Sequence, residues 1–370
     1  MKKTLGVVSL LASSIALAAP SNDDLQKQID ELRAQLEATA NAVETNAGSG
    51  SHVSIGGYGE MHYNNVQGKD EDEIDFHRFV LFIGKELNST TRFFSEFEVE
   101  HALAGEGKPG EVEIEQAFIE KDINDTLSAK AGLFLVPVGI LNETHEPDTF
   151  YGVERNNVEK NIIPATWWEG GVGLTGKTET ISYDVAVHSG LNIDTSGSLV
   201  PRKGRQKVAE AAANDFAFTA RVNYKPMAGV AVGATIQYQE DVTQGAANVD
   251  GQLLEAHAIV EQGDFAVRAL YAQWTFDDKI ADIADGAEKQ SGYYLEPAYK
   301  VSQDLGVFAR YSSYDNKAGN SADSAVNETT VGVNYWLADT VVLKADYNQA
   351  DDTAADETTD TFNLGVGYSF

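Results

Sequence analysis

The residues best suited to do chemistry are charged, and they crowd into one stretch. Residues 138–166 carry Glu143, Glu146, Asp148, Glu154 and Glu159 against Arg155 and Lys160. Nothing in that set pairs a nucleophile with a base, so the chemistry it suggests is electrostatic. An acidic loop facing basic side chains across a narrow, low-dielectric gap sets up a transverse field that selects ions and orients polar solutes. The alternative is that Glu154–Arg155 and Glu159–Lys160 pair internally and only hold the loop. The sequence leaves both open.

Other chemistries find little support. The chain has no cysteine, which removes disulfides, thiol catalysis and thiolate metal sites. Its 7 histidines show no H-x-x-x-H or H-E-x-x-H spacing, so no metal site is expected. A hydrolase would need Ser, His and an orienting polar group together. Only His188 and Ser189 are adjacent, and neighbours in a strand point to opposite faces. No catalytic residue and no cofactor is expected. The acidic runs Asp70-Glu71-Asp72-Glu73, Asp277-Asp278 and Asp351-Asp352 could share Ca²⁺ or Mg²⁺ with phosphate groups of a partner, but they lack the EF-hand pattern and read more simply as solvated loops.

The elements that must position the charged stretch alternate. Before it, Leu127, Ala129, Ala131, Leu133 and Leu135 interleave with Ser128, Lys130 and Gly132; after it, Val172 and Leu174 interleave with Glu169, Gly171 and Gly173. Period two means a strand with one apolar and one polar face. A structureless connection of about thirty residues is uncommon and usually functional, so residues 138–166 are expected to fold into a lumen. Sixteen such alternating segments can be counted between His52 and Phe370. Each has about ten residues, the length with which a tilted strand crosses a bilayer. Short connections (88–89, 178–179, 338–339) alternate with long, mostly polar ones (102–109, 138–166, 190–213). The expected fold is all-β: a transmembrane antiparallel barrel of about sixteen strands over residues 52–370. A large sandwich or solenoid would explain the alternation but not the even count together with the short–long rhythm.

Parity assigns the faces. In one segment Phe216, Phe218, Ala220, Val222 and Tyr224 alternate with Ala217, Thr219, Arg221 and Asn223. Charge at mid-strand is costly in lipid, so the polar face should meet water and the apolar face lipid. Tyr63, Tyr224, Tyr238, Tyr271, Tyr299, Tyr335, Tyr347 and Phe370 close apolar rows as interfacial girdles. The lumen-facing bases are then Arg78, Arg92, Lys130, Arg221, Arg268, Lys300, Arg310 and Lys344, with Arg92 and Lys130 expected nearest the loop. The lumen-facing acids are Glu60, Glu96, Glu98, Glu100, Glu169, Asp184, Glu255, Glu261, Glu296 and Asp346.

Residues 1–18 read as a signal peptide: Lys2 and Lys3, an apolar run too short for a spanning helix, and an A-x-A cleavage site at Ala16-Leu17-Ala18. A membrane anchor is the alternative. Residues 19–51 read as a periplasmic helix and a flexible linker. Leu25, Ile29, Leu32, Leu36 and Val43 form an a/d seam that implies a coiled coil, or else a lone amphipathic helix lying on the barrel. The formal charge of −30 argues against nucleic acid as a partner.

The terminal strand TFNLGVGYSF, ending on Phe370, is similar to the C-terminal signature of outer-membrane β-barrels. Residues 133–174, with Pro137-Val138-Gly139, Phe150, Glu154-Arg155 and Gly170-Gly171-Val172-Gly173, resemble the phosphate-selective porin O/P-like family. SIGGYGEMHYN and GKEL resemble it too. The resemblance implies a homotrimeric outer-membrane porin whose third long loop narrows the pore. It would be a passive diffusion channel for small hydrophilic solutes or ions, inorganic anions such as phosphate included, and not an enzyme. Its other partners would be outer-membrane lipid and lipopolysaccharide, with the N-terminal segment in the periplasm. The family's phosphate selectivity rests on dense lumenal bases, from which this chain departs, since lumenal acids outnumber bases. The competing function is a plugged barrel with a structural or adhesive role through acidic extracellular loops.

Overall fold

The computed structural model describes residues 53–196 and 199–370; the expected signal peptide and coiled coil lie outside the described residues. Sixteen strands form the barrel. They are β1 (Val53–Val66), β2 (Glu73–Asn88), β3 (Thr91–Glu100), β4 (Val112–Asn124), β5 (Leu127–Leu135), β6 (Trp168–Lys177), β7 (Ile181–His188) and β8 (Ala217–Met227). The second half comprises β9 (Val230–Gln239), β10 (Gly251–Gln262), β11 (Phe265–Phe276), β12 (Lys289–Lys300), β13 (Leu305–Asp315), β14 (Val326–Ala338), β15 (Val341–Asp352) and β16 (Glu357–Ser369). Each pairs antiparallel with its sequence neighbours, and β1 closes on β16 with Met61 opposite Val366. Full closure leaves no sheet edge, as a bilayer requires of a strand-built span.

The faces follow the expected parity over most of the wall. Phe218, Val222, Tyr224, Val331, Val333 and Tyr335 are exposed on the outside, whereas Thr219, Thr330 and Asn334 are buried on the inside. Register irregularities sit beside several short turns, and two further bulges break the parity within the wall. Opposite Met61, β2 places both Phe76 and His77 between Asp75 and Arg78. In β4, Glu115 is an extra residue between Ile114, opposite Phe97, and Gln116, opposite Glu96. A bulge re-aims side chains, and here it adds one inward group to each strand.

Residues 136–167 leave β5 and return at β6 as a folded insertion rather than a structureless strap. They contain one short helix, α1 (Asn157–Asn161), whose N-cap Asn156 accepts from the Val158 amide. Val138, Ile140, Val158, Ile162 and Ile163 join Trp167, Leu253, Leu270, Trp274 and Tyr294 in one apolar core. Leu191, Ile193, Val242, Val249 and Ile280 complete it from connections that sequence reading gave as mostly polar. The expectation of a wholly polar inward face therefore fails on β10–β12. Leu253, Leu270, Trp274 and Tyr294 share the parity of Glu255, Arg268 and Glu296 but meet folded-in loops instead of water. Burying a large apolar side chain contributes roughly 1.5–3 kcal/mol, which is what seats these loops. Glycine lets the insertion approach the wall: a Cβ on Gly292 would lie 2.9 Å from Val158, and one on Gly367 would collide with Pro147.

Candidate functional site

The tip of the inward loop crosses to β11–β16 and is fastened there by wall side chains. Arg268 donates to the Thr149 carbonyl (2.9 Å), Asn334 to that of Phe150 (3.0 Å) and Arg310 to that of Tyr151 (2.6 Å). Asp346 accepts from the Val153 amide at 2.6 Å, and Glu328 from Asn157 at 2.7 Å. Asp148 accepts from Ser369 at 2.9 Å, at the short-turn end of β16. The loop thus runs down the lumen from the long-loop end almost to the opposite rim.

In this arrangement most of the expected pore-wall bases contact the loop or neighbouring wall side chains. Arg268, Arg310 and Lys344 hold the loop: Arg310 also pairs with Glu296 (2.6 Å), and the Lys344 ammonium sits 3.6 Å over the Phe150 ring. Such a cation–π contact substitutes for water at a buried ammonium. Arg92 is not near the loop; it pairs with Glu120 and Asp122, both at 2.9 Å, beside a short turn. Lys130 lies 4.7 Å over the Phe134 ring. Arg221 pairs with Glu143 of the loop and, at 2.7 Å, with Asp184. Arg78 bridges Glu60 (2.7 Å) and Glu98 (3.0 Å). Lys300 lines a cavity of about 190 Å³ with Asp148, Glu261 and Arg268 on the short-turn side of the loop.

Of the loop's own charges, neither internal pair forms. Glu154 meets His62 Nδ1 at 3.0 Å and accepts from Asn64 at 3.1 Å. Burial works to raise its carboxyl, but the His62 contact outweighs it, with help from His77 and Asn64, and holds it down at about 2. Glu159 stands at the wall of a cavity of about 450 Å³, with its carboxylate turned into the protein. It is buried, and it accepts from the amides of Ile140 (2.9 Å) and Leu141 (2.7 Å) and from the Tyr294 hydroxyl (2.7 Å). Burial raises its carboxyl against the pull of those three donors. Arg155 lies 3.9 Å from Glu60 and donates to the His145 carbonyl. Lys160 is exposed and has no ion-pair partner among the described residues. Glu146 is half-buried.

The open space lies opposite the apolar core. A cavity of about 450 Å³ on the long-loop side is lined by Glu60, His62, His77, Arg78, Glu100, His101, Glu154, Arg155, Lys160 and Arg202. A second, of about 200 Å³, shares Glu154, Arg155 and Asn157 and reaches Asp346 and Asn363. Sequence reading missed the histidines here. His62 and His77 stack 4.7 Å apart, and Asp75 meets both His77 (3.0 Å) and His101 (2.8 Å). They come from β1, β2 and the end of β3, so only strand register brings them together. Also missed were Arg202 and Arg205, which donate to the carbonyls of Ala165 and Thr166 and clasp the returning loop.

Comparison with known proteins agrees with this architecture. A family model described as Gram-negative porin matches residues 7–355. An uncharacterised protein of Aquifex aeolicus (strain VF5) is 33% identical over 335 residues, covering 81% of this chain and 76% of its own. Among solved structures, Salmonella typhi OmpF in complex with daunomycin aligns with a TM-score of 0.63 at 14% identity, over 87% of this chain and 98% of that one. The anion-selective porin from Comamonas acidovorans aligns at 0.62 and 13%, over 87% and 100%. A trimer form of OmpT, an outer-membrane protein of Vibrio cholerae, aligns at 0.59 and 12%, over 87% and 100%. A closed sixteen-stranded barrel, a lumen narrowed by an inward loop and a family match over most of its length lead to one assignment: the chain belongs to the Gram-negative porin family and is an outer-membrane diffusion channel.

Proposed function

We propose that the channel passes small hydrophilic solutes and ions, inorganic anions such as phosphate among them, through the polar side of the lumen. One observation carries this reading. Arg155, Lys160 and Arg202 line the 450 Å³ cavity, and among the described residues none has a carboxylate within hydrogen-bonding distance, Glu60 lying 3.9 Å from Arg155. The acids beside them are already engaged, Glu60 by Arg78 and Glu154 by His62. In a confined, low-dielectric passage an uncompensated cation acts over a longer range than on an open surface. Passage needs contacts weak enough to release the ion, and three separate side chains suit that better than one tight cage.

The assembly we propose is a homotrimer. A trimer form of the Vibrio cholerae relative supports it, as does the seam of Leu25, Ile29, Leu32, Leu36 and Val43. Short turns face the periplasm, with the N-terminal segment on that side. Planar-bilayer recording tests the function. Ohmic steps and a reversal potential of anion-preferring sign in a salt gradient are expected, moving toward cations in Lys160→Gln/Arg202→Gln. Correctly inserted protein that gives no steps would establish the plugged-barrel alternative.

A further inference from the structure

Where the inward loop touches β3 and β4, three buried side chains converge without satisfying one another. Glu96 comes from β3, Glu115 is the bulge residue of β4, and His145 stands on the loop; none is more than 3% exposed. His145 Nε2 lies 3.6 Å from Glu96 Oε1 and 3.6 Å from Glu115 Oε2. Those separations are too long for hydrogen bonds, and all three atoms lack a hydrogen-bond partner among the described residues. The remaining polar atom of each residue, by contrast, is held. Gln116 donates to Glu96 Oε2 at 2.7 Å, and Thr166 donates to Glu115 Oε1 at 3.3 Å. His145 Nδ1 lies 3.3 Å from the Asn142 carbonyl, to which it can only donate. That bond places a proton on Nδ1; in the neutral imidazole the lone pair is then on Nε2, aimed at two carboxylate oxygens.

Three lone pairs facing one buried point, each ligand oriented by an outer hydrogen bond, is how proteins build metal sites. The spacing agrees. Ligands about 2.0–2.1 Å from a tetrahedral ion stand roughly 3.4 Å apart. We infer that Glu96, Glu115 and His145 bind one divalent first-row transition ion, Zn²⁺ best matching the mixed imidazole–carboxylate set. Glu98 stands beside Glu115, with carboxylate oxygens of the two within 4.8 Å, and it or a water takes the fourth position. The ion ties the inward loop to the wall on the side away from Arg310 and Asp346, so the loop is fastened at both flanks. The competing arrangement is an imidazolium shared between two carboxylates, which needs a proton and no metal.

The test uses the full chain folded in detergent, stripped with chelator and titrated with Zn²⁺ by calorimetry and with Co²⁺ by visible absorption. One ion per chain is expected, with a rise in melting temperature. Affinity should fall at least tenfold in Glu96→Gln, Glu115→Gln and His145→Ala, and stay unchanged in His77→Ala/His101→Ala, which removes the other histidine–carboxylate cluster. A Co²⁺ spectrum that stays that of the hydrated ion overturns the inference without any variant. So does binding that survives loss of His145, or that is lost with His77 and His101. The measurement is made in detergent and does not depend on conduction, so its failure leaves the proposed function standing.

Discussion

The two sides of the lumen are built on opposite principles. Toward β10–β12 the inward loop and three neighbouring connections pack into an apolar core containing Trp167, Trp274, Ile162 and Leu253. Toward β1–β4 the same loop meets Glu60 through Arg155 and His62 through Glu154, while Arg78 bridges Glu60 and Glu98; these wall side chains are buried, ionisable and paired. One loop thereby does two jobs. Apolar burial is non-directional and seats the loop, whereas buried ion pairs contribute little net stability but fix where charge lies. Changes on the first side should therefore move stability most, and changes on the second should move selectivity.

The largest effect is expected from Trp274→Ala. Trp274 is fully buried, stacks on Phe276 at 5.2 Å and donates to the Ile162 carbonyl at 2.8 Å. Truncation should cost about 3–5 kcal/mol, read by denaturant unfolding in detergent, and should raise single-channel conductance as α1 loses its seat. Unchanged stability would mean that the apolar side does not hold the loop.

Glu159 sits at the boundary, a carboxylate inside the apolar half. Glu159→Ala orphans two amides and a hydroxyl, each worth about 1–3 kcal/mol when left unpaired and not strictly additive. Its folded carboxyl is raised by burial, so the sign follows. The stability it contributes is full below the unfolded value of about 4.3 and is lost as pH rises through the raised folded value. Melting temperature should fall across that window in the parent and fall less in Glu159→Gln. Equal slopes would show that the carboxyl is not buried neutral.

Among the loop's charges outside the apolar core, replacing Glu143, Glu146 and Asp148 by Gln, Gln and Asn should leave melting nearly unchanged and shift the reversal potential further toward anions. It frees Arg221 from Glu143, leaving Asp184 as its partner. Two charges about 8 Å apart at an effective dielectric near 20 interact by about 2 kcal/mol, roughly thirtyfold in local ion occupancy. A large loss of stability with no change in selectivity would reverse the comparison between the two sides.

Much of this was legible in the sequence. Period two marked the strands because the outer face of the closed barrel is apolar and the inner face is mostly polar. The inward loop showed as the long break in that regularity. The interior was less legible, because it is not uniform water. Leu253 and Trp274 break polarity on the inward face since loops cover them, and loops such as 190–213 have no period to announce their buried Leu191 and Ile193. Glu115 and His77 were missed because a bulge shifts parity by one. His62, His77 and His101 were missed because barrel register, not spacing in the chain, gathers them.

The smallest effect should come from the acidic rim, and its size tests whether the lumen differs from the surface at all. Asp70, Glu71, Asp72 and Glu73 form a dense run of charge, but all four are solvent-exposed. At physiological ionic strength the screening length is about 8 Å, so an exposed charge about 15 Å from an ion's path keeps only a minor fraction of its field. Replacing all four by Asn and Gln should then move the reversal potential less than Glu154→Gln alone, although four charges are removed against one. In about 0.01 M salt the screening length grows to about 30 Å, and the rim variant's effect should rise toward that of the single lumenal change. Recording both variants at the two salt concentrations separates the cases. If the rim variant dominates at high salt, selectivity is set at the mouth, and the paired charges between β1 and β4 serve only to hold the loop.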